Sequence, residues 1–255
     1  MIAVQLYTVR TLIQDTSRIS EVLSRLREIG YRAVEVAGLG PSSSAQFGKE
    51  LRRAGLTACA AHASLDRVKG DLDRVIGECS DWGCEHVVIP SLPDEYRSAG
   101  GYRRFAAESA ELAQRMRANG LDLVYHNHAY ELERYGAQTG LELLLAGDPA
   151  HAVQAEFDTY WLQYGGADPA DWIRRFAHRV PLVHLKDMAI DRGRPVDAEV
   201  GEGNLNWHDI LTACREAETR WLVVEQDEPR RDPLESVAIS YTNLTRLLNA
   251  AGLEG

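Results

Sequence analysis

Residues 17–36 read SRISEVLSRLREIGYRAVEV. Ile19, Val22, Leu23, Leu26 and Ile29 recur at steps of three and four, which puts them on one face of a helix over Ser17–Ile29. Gly30 follows as a C-terminal cap, and Ala33–Val36 then reads as a short strand. Helix, glycine, strand is an αβ junction. The same order recurs where Leu51–Ala54 meets Gly55 and where Tyr102–Asn119 meets Gly120. Working outward, further strands are expected at Ile2–Leu6, Thr57–Ala61, His86–Ile89, Leu121–Tyr125, Val153–Phe157, Leu182–Leu185 and Trp221–Glu225. The last helix is expected over Leu234–Ala250. Strict alternation of strand and helix implies a parallel sheet. Eight such repeats with no change of composition imply one α/β domain, a (β/α)₈ barrel over residues 1–255. That length suits the fold, which takes about 250 residues. An open doubly wound sheet would carry a Gly-rich turn after its first strand. Here that turn reads LYTVRTLIQD, without glycine.

Bulk properties narrow the function. Hydrophobic residues make up 45% of the chain, enough for a core. Mean hydropathy is −0.30, and no apolar run reaches the ~18 residues of a membrane span. The start, MIAVQLYTVR, lacks the parts of a secretory signal, so a cytoplasmic protein is expected. Cys59, Cys79, Cys84 and Cys214 form no CxxC pair, which disfavours a zinc–thiolate site and suits reduced thiols. Net charge is −10, from 38 acidic and 28 basic residues. An acidic surface repels phosphate backbones, so a small molecule is the expected partner, not nucleic acid or membrane. Arg230 and Arg231 do not reverse that balance. A homo-oligomer is left open.

In a parallel barrel the chemistry sits at the C-terminal ends of the strands. Polar residues gather there. Strand one ends in Gln5 and Tyr7, and strand two holds Glu35. Strand three runs into His62, and strand five into YHNHAYELE, with His126, His128, Glu131 and Glu133. Strand six runs into Glu156 and Asp158, strand seven into His184, Lys186 and Asp187, and strand eight into Glu225 and Asp227. Taken singly, a strand Glu is as often an outward surface residue, and a lone His a hydrogen-bonded structural one. Together they would converge on one axis, where buried acids and histidines need a cation to coexist. Mixed carboxylate and imidazole donors suit Mn²⁺, Fe²⁺, Co²⁺, Zn²⁺ or Mg²⁺.

The segments VQLYTVR, YHNHAYELE, FDTYWLQYGGADP, VHLKDM, VGEGNLNW and VVEQDEP resemble the xylose isomerase-like TIM barrels. The nearest branch is that of the sugar phosphate isomerases/epimerases, related to inosose dehydratases, ketose 3-epimerases and 3-keto-glycoside epimerases and lyases. The resemblance runs from Val4 to about Pro229. It implies one divalent metal held by Glu, Asp, His and Glu at the ends of strands five to eight. The matching residues are Asp158, His184 and Glu225, with Glu131 as the first ligand and Glu133 as its alternative. It also implies substrate contacts from Gln5, Glu35, His62, His126, Lys186, Glu202 and Trp161. Gly201 and Gly203 beside Glu202 would let the backbone approach a ligand, or simply form a turn.

The implied chemistry begins beside a carbonyl of a keto sugar or keto-cyclitol. Glu131 or Glu225 would remove the neighbouring proton as general base. Reprotonation on the other face gives an epimerase, the primary expectation. Loss of a β-substituent gives a dehydratase or lyase, with His126 or His128 as acid. Lys186 would stabilise an oxyanion alongside the metal, or simply pair with Glu225 or Asp158. Endonuclease IV-like DNA repair and non-catalytic sugar binding are the rival readings. The first is disfavoured by the charge of −10.

Overall fold

In this computed structural model, residues 1–40, 42–146 and 153–252 are described. Short runs of β-branched and small residues form the strands β1 (Ile2–Gln5), β2 (Ala33–Val36), β3 (Thr57–His62), β4 (His86–Ile89), β5 (Asp122–His126), β6 (Val153–Asp158), β7 (Leu182–Leu185) and β8 (Trp221–Val224). All eight pair in parallel and in chain order, and β8 closes onto β1. The expected barrel is the observed fold.

The helices that follow the strands are α1 (Ile19–Ile29), α2 (Ser44–Ala54), α3 (Leu72–Trp82), α4 (Ala99–Arg117), α5 (Gly140–Ala146), α6 (Pro169–Arg175), α7 (Trp207–Glu216) and α8 (Pro233–Ala250). Their limits follow local chemistry. Ser43, Asp168 and Asp232 cap α2, α6 and α8 by accepting backbone N–H bonds, and a proline opens each of the last two. Gly55 ends α2 in the left-handed conformation, φ +70°, which is costly for any residue with a Cβ. The first helix begins two residues later than Ser17. Asp15 accepts from Ser17 N and holds Thr16–Arg18 as a 3₁₀ turn instead.

Side chains alternate across each strand, and the alternation divides the core in two. One set packs between strands and helices, and includes Val4, Val34, Val87, Leu123, Phe157 and Val183. The other fills the barrel with a plug of Ala3, Ala33, Cys59, Ala60, Val88, Val124, Leu182, Trp221 and Val223. This plug is a floor. The next inward positions along the strands are Gln5, Glu35, His62, His126, Glu156, His184 and Glu225, so the polar layer lies directly above an apolar one. Among the described residues no helix is long and apolar enough to cross a membrane.

Candidate metal centre at the barrel mouth

Strand register sets the neighbours. Gln5 lies beside Glu35, His126 beside Glu156, and Asp158 beside His184. Glu156 and Asp158 are two apart on β6 and share its inward face. Below the mouth, Glu35 stands between two imidazoles, 3.0 Å from His62 Nε2 and 2.5 Å from His184 Nε2. Glu156 lies 3.4 Å from His62, 3.3 Å from His184 and 3.4 Å from His126. Burial pulls His62 down, but the carboxylates of Glu35 and Glu156 outweigh it and raise the imidazole to about 9. Histidines surround these two acids at close range. Yet Glu35 Oε1 and both Glu156 oxygens have no hydrogen-bond partner among the described residues. Glu35, His62, Glu156 and His184 are themselves a group whose ligand atoms lie within 4.8 Å of one another.

A second group stands above them. His126, Asp158 and His184 each offer a ligand atom, and these atoms lie within 4.8 Å of one another. All three residues are buried. Asp158 Oδ2, His126 Nδ1 and His184 Nδ1 have no hydrogen-bond partner among the described residues. A buried polar atom left unpaired costs on the order of 1–3 kcal/mol, so such atoms on three neighbouring potential ligands call for a partner. Two imidazoles and a carboxylate fit a divalent transition metal. The donor set therefore fits the metal that the sequence implies. His184 faces both groups: Nε2 toward Glu35, and Nδ1 toward Asp158 at 3.9 Å. A carboxylate behind a ligating imidazole fixes the ring's orientation and tautomer.

Lys186 completes the layer. Its side chain is buried, 3.1 Å from Glu225, 4.0 Å from Asp158 and hydrogen-bonded to Asp227. Three carboxylates around one ammonium raise its pKa despite the burial that opposes them. Glu225 and Asp227 line the mouth with His62, His126, His128 and His184, around a cavity of about 360 Å³. That volume falls within the range of about 300–1,000 Å³ usual for small-molecule sites. A larger cavity of about 750 Å³ lies outside the barrel, between Ser43, Arg67, Asp81 and Trp82, and touches none of these groups.

The family model described as xylose isomerase-like TIM barrel matches residues 23–243. The chain belongs to that family. It is 25% identical to the rhizopine catabolism protein MocC of Rhizobium meliloti over 279 residues, covering 92% of this chain and 83% of that protein. It is 23% identical to an inosose dehydratase of Geobacillus kaustophilus over 270 residues, covering 89% and 84%. A sugar phosphate isomerase/epimerase structure from Parabacteroides distasonis superposes with a TM-score of 0.80 at 19% identity, covering 96% of this chain and 97% of that one. The expectation that the chain is an enzyme of this family is met.

In this xylose isomerase-like barrel, Glu131 does not join the cluster. After β5 the chain makes a 3₁₀ turn at Tyr130–Leu132 that carries Glu131 behind the strand. There it accepts from Tyr125 Oη at 2.5 Å and from His128 N at 2.9 Å. Both oxygens are thus engaged, and His126 stands at the strand end instead. Glu133, the alternative, is exposed. Burial raises Glu131 to about 7, only partly offset by the Tyr125 hydroxyl and the backbone N–H groups. The sign follows. Below about pH 4.5, its ordinary value, folded and unfolded chains both bind the proton. As pH rises to about 7, the unfolded chain releases the proton and the folded chain keeps it, so stability falls. Glu131→Gln removes this term. The variant is expected to gain on the parent by roughly 2–3 kcal/mol between pH 4.5 and 7.5 in paired denaturant titrations. A pH-independent difference would refute the assignment.

Glu202 is also placed elsewhere. It is exposed and pairs with Arg231 at 2.9 Å. Its loop is organised by a residue the sequence reading left without a role, Asp187. This buried carboxylate accepts five hydrogen bonds, from Met188 N, Gly201 N, Gly203 N, Leu205 N and Trp207 Nε1. A Cβ on Gly203 would come within 2.3 Å of the Asp187 carboxylate. Gly203 thus admits the backbone to Asp187. Asp187→Ala strands several buried donors, and is expected to cost at least about 3 kcal/mol in chemical denaturation. A loss below about 1 kcal/mol would contradict this account.

The remaining expected residues meet around the mouth. Gln5, His62, His126 and His128 line the cavity, and Glu35 supports it from below. Trp161 stands beside it, its ring 5.4 Å from that of His128. Burial, with His126 next to it, lowers His128 to about 3, which favours the neutral imidazole. Asn127 escaped the sequence reading. Its side-chain oxygen accepts from Asp158 N at 3.1 Å and ties β5 to β6 at the site.

Proposed function

We propose that this chain is a divalent-metal-dependent enzyme that removes the proton beside the carbonyl of a keto sugar or keto-cyclitol. The observation that carries the reading is that His126, Asp158 and His184, all buried, each bring a ligand atom within 4.8 Å of the others. Glu225, on the wall of the same cavity, is the remaining ligand expected from the sequence. When bound, the metal acts as a Lewis acid that polarises the carbonyl and acidifies the neighbouring C–H.

The chain's own groups do the rest. Glu225 accepts the proton as its C–H bond breaks. Lys186, 3.1 Å from Glu225, stabilises the negative charge that develops on the substrate oxygen. Gln5 and His62, in contact at 3.3 Å, hold hydroxyls on the opposite wall. An epimerase needs a second base across the ring, and Glu131 was the residue expected to supply it. Its turn toward Tyr125 favours elimination instead. In that step the C–H pair becomes the C=C bond and the β-oxygen leaves. The leaving oxygen takes up the proton collected by Glu225, so the net loss is one water. The inosose dehydratase described above, to which the chain is similar, supports this choice.

The test is solvent exchange. Metal-loaded protein in D₂O, offered scyllo-inosose and a panel of ketohexoses, is expected to exchange or eliminate the α-proton of at least one ketone. No deuterium uptake and no product with any of them would overturn the reading.

A further inference from the structure

β6 and β7 pair as far as Asp158 and His184, and there the ladder ends. β6 turns at once into the short helix Thr159–Tyr164, capped by Asp158 as it accepts from Trp161 N at 2.9 Å. β7 ends at Leu185, and the chain leaves the barrel as a hairpin that begins at Asp187. Lys186 lies between the two and belongs to neither, yet it is fully buried. Its backbone N–H and C=O still need partners. One side chain serves both. Thr159 Oγ1 accepts from Lys186 N at 3.0 Å, and its own proton is shared between Lys186 O at 2.9 Å and His184 O at 3.1 Å. A hydroxyl can fill this place because it both donates and accepts. Thr159 is itself buried, so water does not compete for these bonds.

Thr159 has no part in the reaction as proposed above. We infer that it is a positioning residue for that reaction: its hydroxyl takes over from the sheet ladder and fixes Lys186 so that the ammonium stands against Glu225. Lysine has a long flexible stem, so the resting place of its ammonium depends on where its backbone is held. Here the ammonium meets Glu225 at 3.1 Å and bonds to Asp227. The surroundings have anchors of their own. Leu185 O accepts from Glu225 N at 3.3 Å, and the Asp187 carboxylate gathers the loop that follows. Asp158 N is tied to Asn127, and His184 Nε2 to Glu35. Loss of the Thr159 hydroxyl is therefore felt at Lys186 and spares the neighbouring metal ligands. The consequence for turnover rests on the proposed reaction, whereas the placement of the ammonium does not.

Three variants test this. Thr159→Val keeps the branched shape and removes the hydroxyl. Thr159→Ala removes it without setting a methyl beside the two carbonyls, and is expected to behave as Thr159→Val does. Thr159→Ser keeps the hydroxyl alone. The chain has three lysines, and Lys49 and Lys69 are exposed. Spectra of metal-free protein labelled with ¹⁵N-lysine thus resolve the Lys186 ammonium as the signal that survives Lys49→Arg and Lys69→Arg. Its protons are expected to exchange with water about tenfold faster or more in Thr159→Val, and within a few-fold of the parent rate in Thr159→Ser. With Mn²⁺ and the fastest ketone of the panel above, Thr159→Val is expected to lower kcat by about 10–100-fold, with KM and metal affinity within a few-fold of the parent. Thr159→Ser is expected to restore kcat. A hydroxyl that merely held the barrel together would lower metal affinity along with turnover. Parent-like ammonium exchange in Thr159→Val and Thr159→Ala, or failure of Thr159→Ser to restore it, would overturn the inference. Absence of turnover in the parent would count against the proposed reaction instead, and the ammonium signal would still decide the role of Thr159.

Discussion

Glu225→Gln is expected to lower turnover by about 10²–10⁴-fold while leaving substrate binding within a few-fold of the parent. Glutamine has the size of glutamate and keeps an oxygen, so the cavity wall keeps its shape. It loses the basicity needed to take a proton from carbon. Lys186 retains Asp227 as a partner, so the variant does not leave the buried ammonium bare. The same variant separates the two fates of the substrate. In an eliminase that uses Glu225 both to take the proton and to hand it on, solvent exchange and product formation fall together. In an epimerase with a second base, exchange from one epimer would persist. Undiminished turnover would remove Glu225 as the base and, with it, the proposed role of this wall.

The barrel was legible because its signal is repeated. Each helix-to-strand junction is weak alone, but the same order recurs through the chain, and a slip at one boundary does not alter the alternation. The placement of the strand-borne candidates was legible for a related reason. Asp158 and His184 lie on or at the end of regular strands, where two-residue parity decides which side chain faces inward. Glu131 and Glu202 lie beyond the strands, and parity says nothing there. The direction of Glu131 depends on where β5 stops and on a 3₁₀ turn closed by Tyr125 and His128 N. YHNHAYELE contains those residues but not their geometry. Asp187 was hidden by the same limit. It follows His184 and Lys186 in VHLKD, but it is the first residue of a hairpin and faces the Gly201–Leu205 loop. That hairpin, Asp187–Asp191 with Arg194–Ala198, is not among the strands expected from the sequence.

In the proposed centre His126 takes the place that the resemblance implies for Glu131, beside Asp158, His184 and Glu225. The substitution has chemical weight. Replacing a carboxylate by a neutral imidazole removes one negative charge from the donor set, so the bound ion and its ligands together are more positive by one. The proposed donor set would suit Mn²⁺, Fe²⁺, Co²⁺ or Zn²⁺, for which imidazole is a good ligand, better than the harder Mg²⁺. Glu35, bonded to His184 Nε2 at 2.5 Å, orients the ring from behind and returns some of that charge to the site.

Metal affinity, measured by competition with a chromogenic chelator at neutral pH, tests the centre most directly. The parent is expected to bind one divalent ion per chain. His126→Ala and Asp158→Ala are expected to lose stoichiometric binding while keeping the circular dichroism of the folded barrel. Glu35→Gln is expected to weaken binding by about 10–100-fold through the orientation of His184. Glu131→Gln is expected to bind as the parent does. Parent-like affinity in His126→Ala, or loss of the ion in Glu131→Gln, would contradict the site described here.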